Sequence, residues 1–350
     1  MTPLAQRIAA LISAQGPISI AEYMTLALLD PAAGYYATRD PLGASGDFIT
    51  APEVRQMFGE LIGLWIAQAW HDQSKPARPR LVELGPGRGT LMADGLRAMK
   101  LMPAFRDALE VVLVEASPVL KAQQEQALAG CGLAVRWVGA FDEIANDRPL
   151  FLIANEFFDA LPIRQYVMTE RGWCERMVTL DTGGALAFAL SPVPYPAANV
   201  PANRDGAPPG GVYESSPAGE AIAEDIAHRI ARDGGAALII DYGYDTPSFG
   251  ETLQAVKSHS FADVLTDPGA SDLSAHVDFA ALGKAAERGG ASPYGPEFQG
   301  EFLFNLGLLR RAERLGLLED AQRLTSAEQM GTLFKALAIL PKSAPTPAGF

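Results

Sequence analysis

Three glycines crowd the stretch "LVELGPGRGTL", residues 81 to 91, directly after an apolar run that carries Glu83. Glycine there permits positive φ and lets the backbone approach a ligand closely. A phosphate-binding turn relies on a helix N-terminus and suffers from a neighbouring carboxylate. Here Glu83 stands just before Gly85, and Glu115 closes the next apolar run, "VVLVEASP". The interval from the glycines to Glu115 exceeds the roughly 20 residues of a dinucleotide fingerprint. An acid beside Gly85, Pro86, Gly87 and Gly89 suits a ligand bearing an ammonium and a sulfonium, so S-adenosylmethionine is the better fit. Glu115, with Ala116 beside it, stands where a ribose-binding acid belongs. Its alternative is an acid that offsets a helix dipole. Further on, "VGAFDEI" offers Phe141 to stack on an adenine and Asp142 to accept from its amine, although Phe141 could equally be core.

Other candidate side chains cluster in three short blocks. In "LFLIANEFFDALP", Glu156 and Asp159 are spaced so that one helical turn would set both on one face. Asn155 adds a neutral donor and acceptor, and Phe157 and Phe158 could exclude water or flank a flat cation. The structural alternative is a helix-start acid pair over core phenylalanines. In "GASGDFITAPE", Asp47, Thr50 and Glu53 could wall a lid; Thr50 and Glu53 also have the spacing of a capping box. Asp241, in "IIDYGY", could line an acceptor channel with Tyr242 and Tyr244, or cap a loop. His276, in "SAHVDF", reads as a hydrogen-bonding residue near a helix start or as a neutral base. No histidine shows ligand spacing with carboxylates, so no metal is expected.

Strands and helices in alternation must position these groups. Apolar runs at Leu81–Leu84, Val111–Val114, Val135–Val138, Phe151–Ala154 and Ala237–Ile240 read as strands of a parallel sheet buried on both faces. Helical patterns at 90–100, 117–129 and 217–232 separate them, the signature of a doubly wound α/β sheet. Before the sheet, residues 1 to about 29 read as helices broken at Gly16-Pro17, and a longer helix runs from Val54 to about Trp70. The expected division is a helical cap with a lid loop over 1–75 and a core over 76–350. An insertion at about 164–214 interrupts the core, with a hairpin around Gly172 and a Pro/Gly/Ala-rich stretch. "AHVDFAALGKAAERGG" reads as a helix, "GTLFKALAIL" as a terminal strand and "PKSAPTPAGF" as a frayed tail.

Composition narrows the functional classes. The chain has 350 residues, 48% of them hydrophobic, and a net charge of −13. That acidity disfavours nonspecific binding to nucleic acid, which requires basic surface. Apolar runs are too short to span a bilayer, and the amphipathic N-terminus does not read as a secretory signal. Two cysteines, Cys131 and Cys174, give neither a disulfide framework nor a thiolate metal site. A cytoplasmic protein is expected. Oligomeric state is left open, a dimer included.

Taken together, "GDFITAPEVRQMFGELIG", "VELGPGRGT", "ANEFFDALP", "IIDYGY" and "SAHVDFAALG" resemble the MidA-like family of class I methyltransferases. The resemblance runs from about residue 20 to 340 and departs from the family where Ala51 replaces its usual serine. It implies a seven-stranded, mostly parallel Rossmann-like sheet and S-adenosylmethionine as donor. It also implies a protein arginine as acceptor, the family target being a 49-kDa-type subunit of respiratory complex I. A guanidinium stays protonated, with a pKa above about 12, so carboxylates must neutralise it and hold it. Glu156, Asp159 and Asn155, with Asp47 and His276, are the expected catalytic set. Two other readings stay open: a small-molecule acceptor, and a non-catalytic assembly factor.

Overall fold

The computed structural model describes residues 2–38, 50–196, 206–246 and 249–350. Asp47 lies outside them. Among the described residues, seven strands in series form the central sheet. In chain order they are β1 (Arg80–Leu84), β2 (Glu110–Val114), β3 (Val135–Val138), β4 (Leu150–Asn155), β5 (Gly235–Tyr244), β6 (Ser292–Phe298) and β7 (Phe334–Leu340). Their spatial order is β6-β7-β5-β4-β1-β2-β3, and the two-residue strand Val277–Asp278 pairs beside the end of β5. The strands from β5 to β3 are parallel, and β7 runs antiparallel between β5 and β6.

Both faces of the sheet are covered, which explains the unbroken apolar runs. Leu81, Val111, Phe151 and Leu238 point to one face, where helices Met57–Asp72 and Thr90–Ala98 pack. Val82, Val112, Leu152 and Ile239 point to the other, under helices Pro217–Asp233 and Phe279–Arg288. Helix Met57–Asp72, grouped with the cap on sequence, therefore lies in the core. It also starts later than expected. A short helix, Ala51–Val54, comes first, and Arg55 is extended at φ −164° and ψ 154° before the long helix begins.

Helices Pro3–Gln15 and Ile20–Leu29 form the cap. The second opens on a true capping box: the Ser19 side chain accepts from Glu22 N–H, and the Glu22 carboxylate accepts from Ser19 N–H. Leu4, Ile8, Tyr23 and Leu28 pack on Ile163, Val178, Leu253 and Leu273. The insertion is richer in strand than its composition implied. Arg164–Thr169 and Gly172–Leu180 make the expected hairpin, extended by Leu186–Pro194 and Val212–Ser215, and Ile18–Ser19 joins it from the cap. A separate antiparallel sheet follows at 254–257, 260–262 and 272–274.

Two other expectations change. β6, not foreseen, holds Pro293 and Pro296, which an edge strand tolerates because its outer N–H groups need no partner. The C-terminal tail is docked rather than frayed. Trp65 Nε1 donates to Ala348 O at 2.8 Å, and the Phe350 ring meets Trp65 and Phe302.

Candidate active site

The strand order places the C-terminal ends of β1, β2 and β4 side by side, where ligands of open α/β sheets gather. A cavity of about 720 Å³ opens there, within the usual range for small-ligand pockets. Cap residues Met24 and Leu28 form its apolar roof.

β1 delivers Glu83 and then the glycine turn. Gly85, Gly87 and Gly89 all have positive φ, at 59°, 54° and 82°. A Cβ on Gly85 would lie 2.9 Å from Phe157 Cδ2, so glycine is also needed for space. Glu83, Gly85, Pro86 and Gly87 line the cavity. Gly89 instead ends the turn as the residue before helix Thr90–Ala98. Glu83 is 3% exposed, and its Oε2 is buried without a hydrogen-bond partner. Burial pushes its carboxyl up to about 8.

From β2, Glu115 and Ala116 reach the same cavity. The Glu115 carboxylate accepts from Ser117 N–H at 2.7 Å and from Gln124 Nε2 at 2.9 Å. Burial raises its pKa, and these bonds oppose the rise. Gln124 Nε2 also donates to Gly87 O at 2.7 Å, and its Oε1 accepts from Trp137 Nε1 at 2.8 Å. This fully buried amide ties the glycine turn to Glu115, and no spacing in the sequence announced it. After β3, Phe141 lines the cavity beneath the Arg229 guanidinium, 4.2 Å from its ring centroid. Asp142 is exposed and not among the lining residues, which separates the expected adenine pair.

β4 ends at Asn155, and Glu156 turns the chain at φ 51°. Both line the cavity. Glu156 Oε1 accepts from Ala51 N–H at 3.0 Å and from Asn155 Nδ2 at 3.1 Å, while Asn155 Oδ1 is buried without a partner. Burial pushes the Glu156 carboxyl up to about 8, and Asp159 and Asp272 add to the rise.

The helical turn expected to align Glu156 with Asp159 does not form. Residues 156–162 are bend and turn, because Asp241 Oδ2 gathers the N–H groups of Phe157, Phe158 and Asp159 at 3.2, 3.0 and 3.2 Å. Asp241 is thus a loop cap. Burial and the nearby Asp159 and Glu156 raise its pKa, and the N–H groups lower it. Asp159 sits behind the cavity lining, accepts the Tyr242 hydroxyl at 2.6 Å and keeps a buried, unpartnered Oδ1. Its carboxyl is pushed up to about 6, burial outweighing the Tyr242 bond.

Thr50 lines the cavity but makes no capping bond, so the alternative capping box is not formed. His276 is not brought to the site. It borders a separate pocket of about 30 Å³, with its ring edge-on to Tyr242. Burial and Lys335 lower its pKa, which keeps it neutral. Among the described residues no group of three His, Cys, Asp or Glu is placed to hold a metal ion, and no helix is long and apolar enough to cross a membrane.

The cavity fits a cationic methyl donor. Two buried acceptors, Glu83 Oε2 and Asn155 Oδ1, can satisfy an ammonium, and the turn exposes backbone where a side chain would intrude. Comparison with known proteins agrees. The family model for S-adenosyl-L-methionine-dependent methyltransferases matches residues 61–297. The chain is 38% identical to the zebrafish (Danio rerio) mitochondrial protein arginine methyltransferase NDUFAF7, covering 96% of this chain and 86% of that one. With the human (Homo sapiens) protein of the same name it shares 36%, over 97% and 84%. A crystal structure of a Burkholderia thailandensis protein bound to S-adenosyl-homocysteine superposes with a TM-score of 0.86 at 31% identity, covering 99% of this chain and 93% of that one. The relatives' mitochondrial names overturn the cytoplasmic placement expected from sequence. Two free cysteines fit any reducing compartment and do not distinguish one from another.

Proposed function

Because this chain belongs to the S-adenosyl-L-methionine-dependent methyltransferase family, we propose that its acceptor is a protein arginine, as the names of its relatives say of them. The observation that carries this reading is Glu156. It is a carboxylate at the end of β4, held by Ala51 N–H and Asn155 Nδ2 and facing the donor cavity. When bound, the donor supplies an electrophilic sulfonium methyl. Glu83 would hold the donor's ammonium, the glycine turn and Glu115 would receive its methionyl and ribose parts, and Phe141 would border its adenine. Met24 and Leu28 of the cap keep water from the reacting groups.

Glu156 meets the guanidinium as a carboxylate, since an approaching cation favours the ionised form of an acid that its buried, acid-flanked surroundings raise to about 8. Asp159, through its free Oδ1, supports the positive charge from behind. Asn155 Nδ2 holds Glu156 in that orientation, which leaves a guanidinium nitrogen lone pair free to face the methyl. These roles make positioning and charge balance, rather than covalent chemistry, the protein's main contribution. The partner we infer is a subunit of respiratory complex I, of the 49-kDa type, in line with the motif resemblance. The cap over the cavity it must enter consists of helices Pro3–Gln15 and Ile20–Leu29.

The test incubates wild type and Glu156→Gln with methyl-labelled donor and extract from cells lacking the gene. Label on an arginine of one protein is expected with wild type. In Glu156→Gln the rate should fall by about 100-fold or more, with S-adenosylhomocysteine affinity kept within about threefold. Label confined to small molecules would overturn the arginine reading, and full turnover by Glu156→Gln would remove that carboxylate from the mechanism.

A further inference from the structure

The helix Ala51–Val54 touches the site at two points. Glu53 accepts the Thr90 hydroxyl at 2.7 Å and lies 3.8 Å from the Arg88 guanidinium; Arg88 belongs to the glycine turn and Thr90 is the first residue of the helix that follows it. Two residues earlier, Ala51 N–H donates to Glu156. The segment is itself anchored, because Ala51, Pro52 and Val54 are buried, and Ala51 and Val54 belong to the cluster on one face of the sheet. Across the turn, Gln124 holds Gly87 O. The glycine turn has few side chains of its own to set its path, so it is gripped from one side by Gln124 and from the other by Glu53.

We propose that Glu53 is a positioning residue for the donor. By holding the Thr90 hydroxyl it fixes the start of the helix just after the glycine turn, and the buried Ala51–Val54 segment keeps that point in register with Glu156. The proposal rests on the assignment of the turn to donor binding. Glu53 acts through Thr90, so the two should behave as one unit.

Titration calorimetry with S-adenosylhomocysteine tests this on wild type, Glu53→Ala, Thr90→Val, their double variant, and the conservative Glu53→Gln and Thr90→Ser. Each disruptive single change is expected to weaken binding by about tenfold, the scale of one hydrogen bond to a charged group. The double variant should bind no more weakly than the worse single, because both remove the same bond. Glu53→Gln and Thr90→Ser retain an acceptor and a hydroxyl, so they should bind within about threefold of wild type. A general structural role would shift the melting temperature without this coupling or rescue. Wild-type affinity in both disruptive single variants, or a loss of about 100-fold in the double, would overturn the proposal. A wild type that fails to bind the ligand would instead overturn the donor assignment, and the proposal with it.

Discussion

The Tyr242 hydroxyl donates to the Asp159 carboxylate at 2.6 Å, so an aromatic at the end of β5 helps set the charge of an acid on the loop after β4. Burial raises that carboxyl to about 6, and the Tyr242 bond opposes the rise. Asp159 acts ionised in the proposed reaction, so kcat at saturating donor and acceptor, with Glu83 and Glu156 then held ionised by their cations, should fall as pH drops through about 6. Tyr242→Phe removes the opposing bond, which should move this acid limb to higher pH and lower neutral-pH kcat by roughly three- to tenfold. A pH–rate profile that superposes on wild type would separate Asp159 from turnover.

In the proposed site, Glu83 should make donor binding a proton-coupled event. Its carboxyl is raised to about 8, whereas a bound cation demands the carboxylate. Below pH about 8, binding must therefore expel a proton, and affinity should strengthen by up to about tenfold per pH unit before levelling off. Calorimetry in two buffers of different ionisation heat reads that proton directly, and identical heats after buffer correction for no proton would contradict it.

In the ligand-free protein the same group has the opposite consequence. Its folded pKa is raised, so its contribution to stability is present at acid pH and is lost as pH rises through about 8. Glu83→Gln should accordingly be more stable than wild type at pH 8, by on the order of a few kcal/mol, and bind donor at least about 100-fold more weakly. Denaturant melts at pH 5 and pH 8 decide it. A wild type as stable as the variant at both values would show that Glu83 carries no such penalty.

Helices Met57–Asp72 and Thr90–Ala98 meet through glycines. A Cβ on Gly63 would lie 2.5 Å from Gly95 Cα, and one on Gly59 would lie 2.8 Å from Asp94 Cβ. Backbone cannot yield as a side-chain tip can, so Gly63→Ala should cost about 1–3 kcal/mol through forced separation of the helices. Thermal unfolding measures the loss, and an unchanged midpoint would mean that the contact opens freely.

Removing residues 341–350 deletes the carbonyl that accepts from Trp65 and the ring of Phe350 between Trp65 and Phe302. A loss of about 2–4 kcal/mol is expected from one buried aromatic and one hydrogen bond. A truncated chain with a wild-type denaturation midpoint would return the tail to the status of a loose end.

The parts of this molecule that were legible in its sequence are those governed by local pattern. Val111–Val114 and Phe151–Ala154 are apolar without interruption because both sheet faces are covered, and the glycines of the turn follow β1 because only they accept its backbone. The acids Glu83, Glu115 and Glu156 reach one cavity because each lies at or near the end of a parallel strand. What escaped depends on distant partners. Asp241 reorganises the backbone of residues 157–159 from over 80 positions away, so the helical turn suggested by Glu156 and Asp159 never forms. Glu53 has the spacing of a capping box yet spends its carboxylate on Thr90. In β6, Pro293 and Pro296 hide a strand that is possible only because it lies at the sheet edge.

The pairing of Ile18 with Val178 also sets an order of events during synthesis. The first two helices dock on strand Gly172–Leu180, with Leu253 and Leu273 completing their cluster. At about 5–20 residues per second, those helices emerge on the order of ten seconds before the surface that shelters them. Leu4, Ile8 and Ile12 spend that interval without the partners that strand Gly172–Leu180, Leu253 and Leu273 supply, so the nascent chain carries a sticky amphipathic segment until more than half of these 350 residues have been made. Holding that segment apart is a natural task for a chaperone, and the cap is the part of the fold that benefits from one.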